Sequence, residues 1–406
     1  LGGGYKSLNV TLRKALGLYS NVRPSVSYHP FLETKFPEQN LVIIRENEED
    51  IYAGIEYRQT HNMYESIKLI SRVGSEKIIR YAFEYAIKNN RKTVSCFAKD
   101  NIMKFSDGIF HKVFLEIAAE YPNIKSNYYI IDIGTAKLAA NPGLFDVIVT
   151  SNLYGDIISD VASEISGSVG LAGSANIGEE YAMFEAVHGS APDIAGKNIA
   201  NPSGLINAAI MMLVHLGLGS YAAKVENAWK KTIEDGVHTV DIFNESISSQ
   251  KVGTMEFSAA VVSRLGQKPS KLKAVDYPDK SEENLSVRKY TIDTSETKTI
   301  VGVDVFIQSN ANSAHEIAEI VSKISSKLEL KTIAAKGLKL WPRNEPSLFL
   351  SDHWCLRYMP KDNGATTHAD ISDLLNEFAK ANIDFIKTEN LYNFDNNRGY
   401  SLAQGE

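Results

Sequence analysis

The feature that most constrains this chain is an alternation of short apolar runs with segments of helical periodicity, sustained to about residue 266. Residues 41–45, 93–98, 128–133 and 146–150 have the length and apolar content of buried strands. Residues 77–88 and 110–120 instead repeat apolar side chains every three to four positions, as helices do. Strands interleaved with helices pack as layers, so the fold class is α/β. The most apolar stretch, 208–218, is interrupted by His215 and too short to cross a bilayer, and is expected to form a buried helix.

From 267 to 298 the chain turns polar, with two prolines, as a linker would. Beyond it the pattern is strand (301–308), helix (313–325, with Ile317, Ile320, Val321 and Ile324 on one face) and strand (330–334). Strand (353–359), helix (Ile371, Leu374, Leu375, Phe378) and strand (384–388) follow. This βαββαβ order predicts a ferredoxin-like α+β domain over 299–406, after a first part over 1–266. A chain of 406 residues, 44% hydrophobic, has enough apolar material for such an organisation. Its formal charge of −6 provides no basic footprint, which argues against nucleic acid or an anionic membrane as partner. Cys96 and Cys355 stand far apart without metal or redox spacing, which fits a reducing compartment.

Chemistry concentrates in a few words. Asn152-Leu153-Tyr154-Gly155-Asp156 follows a predicted strand, and Gly155 permits a turn into a helix. Asp156 and Asp160, four apart, then share one face at the strand's end, where open α/β sheets carry sites. Their hard oxygens suit Mg²⁺ or Mn²⁺. The pair reads equally as a helix N-cap at Asp156 and a solvated Asp160. Asp132, at the end of the preceding predicted strand, is a third oxygen or another cap. Ser7, Asn9 and Arg13, followed by Arg23 and Arg45, form a polar set able to clamp planar carboxylates, although each arginine alone suits an ordinary ion pair. Lys104, in a segment expected to start a helix, and Tyr52 have the chemistry of an acid–base pair if neighbours lower their pKa values.

The stretch from Phe184 to Gly196, with Asn201 beyond, is a long loop flanked by apolar helices, a candidate cradle for an adenosine. No G-x-G-x-x-G follows the first strand, so this is not a conventional Rossmann site. Gly2-Gly3-Gly4 followed by Lys6-Ser7 is not a phosphate loop, because Tyr5 stands where a glycine is required.

Taken jointly, Gly2-Gly3-Gly4, Ser7-Leu8-Asn9, Arg45-Glu46-Asn47, Asn101-Ile102-Met103-Lys104-Phe105, Gly155-Asp156 with Asp160, and His188-Gly189-Ser190-Ala191-Pro192 resemble the β-decarboxylating dehydrogenases, the isocitrate and isopropylmalate dehydrogenase family. The resemblance covers about the first two thirds of the chain. It implies that family's large and small α/β domains, the small one with a dimer clasp over about 19–166, and an N-terminal start beyond this sequence. The C-terminal part is similar to that of a bacterial subgroup, which implies a cytoplasmic enzyme.

The resemblance assigns Ser7 and Asn9 to the γ-carboxylate of isocitrate, against isopropylmalate or homoisocitrate, and Arg13, Arg23 and Arg45 to the substrate's carboxylates. It places metal on Asp156 and Asp160 with Asp132 of a second subunit, so that active sites are shared within a homodimer. Lys104, also from the partner, would assist deprotonation of the C2 hydroxyl, and Tyr52 would protonate C3, in the step of the tricarboxylic acid cycle that yields 2-oxoglutarate and carbon dioxide. The cofactor loop would comprise His188, Gly189, Ser190, Ala191, Pro192, Asp193, Ile194 and Asn201. NADP-using relatives carry Lys-Tyr where this chain has Asp193-Ile194, and Val240 and Asn244 replace a Tyr and an Arg. A carboxylate repels a 2′-phosphate and accepts hydrogen bonds from ribose hydroxyls, so NAD is expected over NADP. An inactive regulatory or assembly subunit would be expected to have lost some of these residues, and all are present.

Overall fold

A computed structural model describes residues 7–279, 290, 292, 294–342, 351–361 and 364–406. The glycine run at 2–4 lies outside the described residues, as does part of the expected linker. Contacts divide the chain into two units, one of residues 1–53 and 68–290, the other of residues 54–67 and 291–406.

The first unit begins with α1 (Leu8–Ala15), β1 (Ser20–Val26) and β2 (Asn40–Glu46). The hairpin β3 (Glu56–Arg58) and β4 (Tyr64–Ser66) then intervenes, and belongs by its contacts to the other unit. The first unit resumes with α2 (Arg72–Lys88), β5 (Thr93–Ala98), α3 (Ser106–Ala118), β6 (Lys125–Ile130), α4 (Ile131–Ala140), β7 (Val147–Thr150), α5 (Asn152–Ser166), β8 (Gly173–Ile177) and β9 (Ala182–Ala186). Seven strands form one sheet in the order β6-β5-β7-β2-β1-β8-β9. The β6-β5-β7-β2 half is parallel, whereas β1, β8 and β9 add antiparallel neighbours.

Strand periodicity divides the core. Val42, Ile44, Val94, Cys96, Val147 and Val149 pack with Ile78, Phe83, Phe110 and Phe114 of α2 and α3. The alternate residues Leu41, Ile43, Phe97 and Ile148 pack with Leu138 of α4 and Ile158 and Ala162 of α5. With both faces covered, these strands are continuously apolar, which is why their runs are conspicuous in the sequence.

Three local expectations are corrected. The strand expected over 128–133 ends at Ile130, where its partner β5 ends at Ala98, and α4 begins at once. Asp132 therefore lies in the first turn of a helix, where a carboxylate is favoured by the unpaired N–H groups. Residues 101–105 form a turn ahead of α3 rather than its first turn. The segment over 208–218 is only half-buried, because α6 (Ser203–His215) packs one face on the sheet and leaves Met212 exposed, and Leu216 and Leu218 beyond its end are exposed too. No helix among the described residues is long and apolar enough to cross a membrane. The unit closes with α7 (Gly219–Glu234), the pair β10 (Val237–His238) and β11 (Gln250–Lys251), and α8 (Thr254–Ser263). These pack around the fully buried Trp229, whose indole N–H donates to Ser203 Oγ at 2.9 Å.

The second unit contains β12 (Lys298–Gln308), α9 (Ala314–Val321), β13 (Leu328–Ala335), β14 (Leu338–Trp341), β15 (His353–Pro360), α10 (His368–Lys380), β16 (Phe385–Phe394) and β17 (Asn397–Arg398). Its sheet order is β14-β13-β15-β12-β16-β17 with every neighbour antiparallel. The central four strands have the ferredoxin-like order, and the short β14 and β17 are additions that the alternation pattern did not reveal. Ile317, Val321, Leu374 and Phe378 of the two helices cover Val303, Val305, Trp354 and Leu356. The buried Arg357 donates from Nε and Nη2 to the two oxygens of Asp304, at 2.8 and 2.7 Å, and from Nη1 to Glu406 at 2.8 Å. The β3–β4 hairpin, which the sequence places within the first part, pairs Glu65 with Lys387 and donates from Asn62 to Asp352.

Candidate active site

Antiparallel pairing of β1 with β2 sets Arg23 opposite Ile43 and Asn21 opposite Arg45, so two arginines from adjacent strands converge at one place above the sheet. Both are almost fully buried. Arg23 Nη1 donates to Asp156 Oδ1 at 3.1 Å and to Ser159 Oγ at 2.7 Å, and lies 4.0 Å from Asp160. Arg45 donates from Nη1 to Asp156 and from Nε and Nη2 to Asn152 Oδ1 at 3.0 and 2.7 Å. Tyr52 donates its hydroxyl proton to Asp156, and the Arg45 guanidinium lies 4.9 Å from its ring centre. Buried arginines persist only when paired, and Asp156 is the shared partner of both.

These contacts exclude the N-cap reading of Asp156. The helix α5 starts at Asn152, so Asp156 occupies its second turn and is no cap. The N-cap is Ser151, whose side chain makes no cap bond; Asp50, from outside the helix, accepts from Leu153 N at 2.8 Å through Oδ2. Gly155 lies inside the helix with ordinary φ, and its small size has a different reason from the expected turn: a Cβ there would stand 2.5 Å from Arg45 Cγ. Burial raises the Asp156 pKa, but Arg45, the Tyr52 hydroxyl and Arg23 together outweigh it and hold the carboxyl below its ordinary value. Burial, with the neighbouring Asp156, pushes Asp160 upward. The expectation that neighbours lower Tyr52 is corrected. Burial and the bond to Asp156 raise its pKa, and the nearby Arg45 offsets only part of this.

Asn9 and Arg13 share a face of α1, one turn apart. Arg13 Nε and Nη2 donate to Glu185 Oε1, and Asn9 Nδ2 donates to Glu185 Oε2 at 2.5 Å. Ser7 is exposed ahead of this helix and makes no side-chain cap bond. Asp132 and Lys104 are not brought to Asp156 within one chain. Asp132 is exposed and pairs with Lys99 at 2.9 Å, and Lys104 is exposed on its turn. No cluster of three acidic, histidine or cysteine residues of metal-holding geometry occurs among the described residues.

The expected cofactor loop leaves β9 at Ala186. His188 Nδ1 lies 3.0 Å from Gly189 O, residues 189–193 are exposed, and Ile194 is half-exposed. Asn201 is buried, donates to Asp241 at 3.0 Å and accepts from Ser203 N at 2.9 Å, so its side chain holds the entry to α6. Sequence reasoning missed Asn21, Asn176, Asn152 and Ser159, and it gave Glu185 no role. Asn21 stands two residues before Arg23 on the same strand face, which is the one signal that could have found it.

Residues 1–261 match the family described as Isocitrate/isopropylmalate dehydrogenase, and residues 298–406 match Bacterial isocitrate dehydrogenase, C-terminal domain. The chain is 69% identical over its whole length to a Rickettsia felis protein named isocitrate dehydrogenase (NADP), of which it spans 84%. It is 39% identical, over its whole length and 82% of the other, to a Thermus thermophilus protein of the same name. Among solved structures, the TT0538 protein from Thermus thermophilus superimposes with a TM-score of 0.91 at 38% identity, over all of this chain and 82% of that one. These relatives overturn the expectation of NAD drawn from Asp193, Ile194, Val240 and Asn244. Asp193 and Val240 are exposed, and Asn244 donates to Glu33 at 2.7 Å. A carboxylate in an exposed turn repels a phosphate only if it points at it, and sequence does not carry that direction.

Proposed function

The chain belongs to the isocitrate/isopropylmalate dehydrogenase family and is an isocitrate dehydrogenase, an oxidoreductase; from that premise we propose that it converts isocitrate to 2-oxoglutarate and carbon dioxide with NADP as hydride acceptor. The observation that carries this reading is the convergence of Arg23, Arg45 and Tyr52 on Asp156, one helical turn from Asp160. NADP rests on the names of the relatives that span the whole chain.

In this reading Arg13, Arg23 and Arg45 receive the substrate's carboxylates, for which a guanidinium is suited by its paired donors. Ser7 and Asn9 meet the carboxylate that distinguishes isocitrate from its homologues. The donor set at Asp156 and Asp160 fits part of the coordination sphere of a hard divalent ion: two carboxylates one turn apart, with the Asp160 side chain 61% exposed. Asp132 of a second copy, exposed on its own chain, would complete the protein's share, which makes the site one shared within a homodimer. A bound Mg²⁺ or Mn²⁺ supplies Lewis-acid polarisation of the C2 oxygen and charge stabilisation as the carboxylate leaves. Lys104 of that second copy takes the hydroxyl proton. Tyr52, whose raised pKa keeps its proton in place, returns one to C3. The loop from His188 to Ile194 receives the nucleotide.

Steady-state turnover of the enzyme in its natural length, with isocitrate and Mg²⁺, tests this. NADP should be preferred over NAD, and Asp160→Asn should lower turnover by more than the roughly 10- to 100-fold that losing an outer metal-site partner costs. Better turnover with NAD would overturn the cofactor, and an unimpaired Asp160→Asn variant the metal site.

A further inference from the structure

The two residues of α1 read as substrate-binding are not free in this structure. Glu185, at the end of β9, offers its carboxylate to both: Oε1 accepts from Arg13 and Oε2 from Asn9. The pairing is well sheltered, with the Arg13 and Glu185 side chains 10% and 12% exposed. A planar carboxylate gripped by a guanidinium and an amide is the arrangement that an isocitrate carboxylate would itself require there.

Glu185 is also the end of a buried chain of hydrogen bonds that starts at Asp156. Arg23 bonds Asp156 through Nη1 and donates from Nε to Asn21 Oδ1 at 2.5 Å. Asn21 donates to Asn176 Oδ1 at 2.9 Å, and Asn47 donates to the same oxygen at 3.0 Å. Asn176 Nδ2 donates onward to Glu185 Oε1 at 2.8 Å. Asn21 and Asn176 are wholly buried, so neither amide has water as an alternative partner. On the far side of Glu185 the chain runs through Ala186 and Val187 directly into His188 and the exposed loop read as the nucleotide's.

We propose that Glu185 is a positioning residue that competes with a substrate carboxylate for Asn9 and Arg13, and that its displacement by substrate couples isocitrate binding to the nucleotide loop. The proposal rests on the reading of α1 as substrate-binding and of residues 188–194 as nucleotide-binding. Glu185 occupies the Nε–Nη2 edge of Arg13 and the Asn9 amide, so a substrate carboxylate that takes that same edge must release it; its side chain then keeps only Asn176, while pairing with β8 still holds the backbone of β9. Such coupling is reciprocal: the factor by which isocitrate changes NADP affinity equals the factor by which NADP changes isocitrate affinity.

The test compares wild type with Glu185→Gln and Glu185→Asp in the natural-length enzyme, titrating NADP with and without isocitrate and measuring KM and kcat for isocitrate separately. Glu185→Gln, nearly isosteric and uncharged, should lower the isocitrate KM several-fold and bring the effect of isocitrate on NADP affinity from about fivefold or more towards none. Glu185→Asp, which keeps the competing charge, should restore at least part of the coupling. Wild-type coupling and KM in Glu185→Gln, or a raised KM, would overturn the proposal. Arg13→Gln separates the two levels of the argument. If it binds isocitrate like wild type, the reading of α1 fails and the proposal with it. If it loses isocitrate binding while Glu185→Gln keeps normal coupling, only the competing role is refuted.

Discussion

Next to Arg45, the carboxyl of Glu46 is buried and accepts from Glu48 N and Glu49 N at 2.6 and 3.0 Å. Burial outweighs those bonds and pushes its pKa from 4.5 up to about 8. Between these two values the folded chain keeps a proton that the unfolded chain has released. Stability contributed by the neutral acid is therefore full below about pH 4.5, declines as pH rises and levels off above 8. A Glu46→Gln variant is neutral throughout. In urea unfolding at pH 5.5, 7 and 8.5, wild type should lose stability relative to the variant by roughly 1 kcal/mol per pH unit up to pH 8. A constant difference would mean that Glu46 is ionised in the fold. At this scale the sequence was informative where chemistry and spacing coincide, as at Asp156 and Asp160 or in the arginine set. It was silent on Asn21, Asn176 and Glu185, which lie on three strands and meet only through sheet register. It misled at Asp193, whose charge was legible and whose direction was not.

The helix α5 and the strand β2 approach so closely that the segment at Gly155 has no room for a methyl group, since an added Cβ would lie 2.5 and 2.7 Å from Arg45 Cγ and Cβ. Helix propensity alone predicts that Gly155→Ala stabilises α5 by about 1 kcal/mol. The close approach predicts the opposite, an overpacking cost of about 1–3 kcal/mol and an Arg45 displaced from Asp156 and Asn152. Thermal melting should show a lowered midpoint, and the isocitrate KM should rise at least about tenfold, by analogy with the loss of a charged hydrogen bond. A stabilised, fully active variant would refute the contact. Element types were legible here because two-sided burial makes β2, β5 and β7 mainly apolar and because α2 and α3 carry clear periodicity. Boundaries were less so. The end of β6 is set by where β5 stops pairing, and β14 and β17 are too short to form a pattern.

At the scale of the whole chain, the polar stretch after 266 signals a change of organisation, but contact assigns the β3–β4 hairpin to the C-terminal unit, across some 230 residues of sequence. No local signal encodes such an assignment, because it arises from pairings such as Glu65 with Lys387. The division has a practical consequence through the two cysteines. Cys96 is wholly buried on β5 of the first unit, and Cys355 lies on β15 of the second. Burial raises both thiols well above their ordinary pKa, so neither presents a reactive thiolate in the native fold. Each unit thus contains one internal stopwatch. Under native conditions a chromogenic disulfide reagent should label the two thiols slowly, at rates set by the opening of their own units, and peptide mapping should give two separate time courses when denaturant is raised. A single shared rate at both thiols would show that the units open as one.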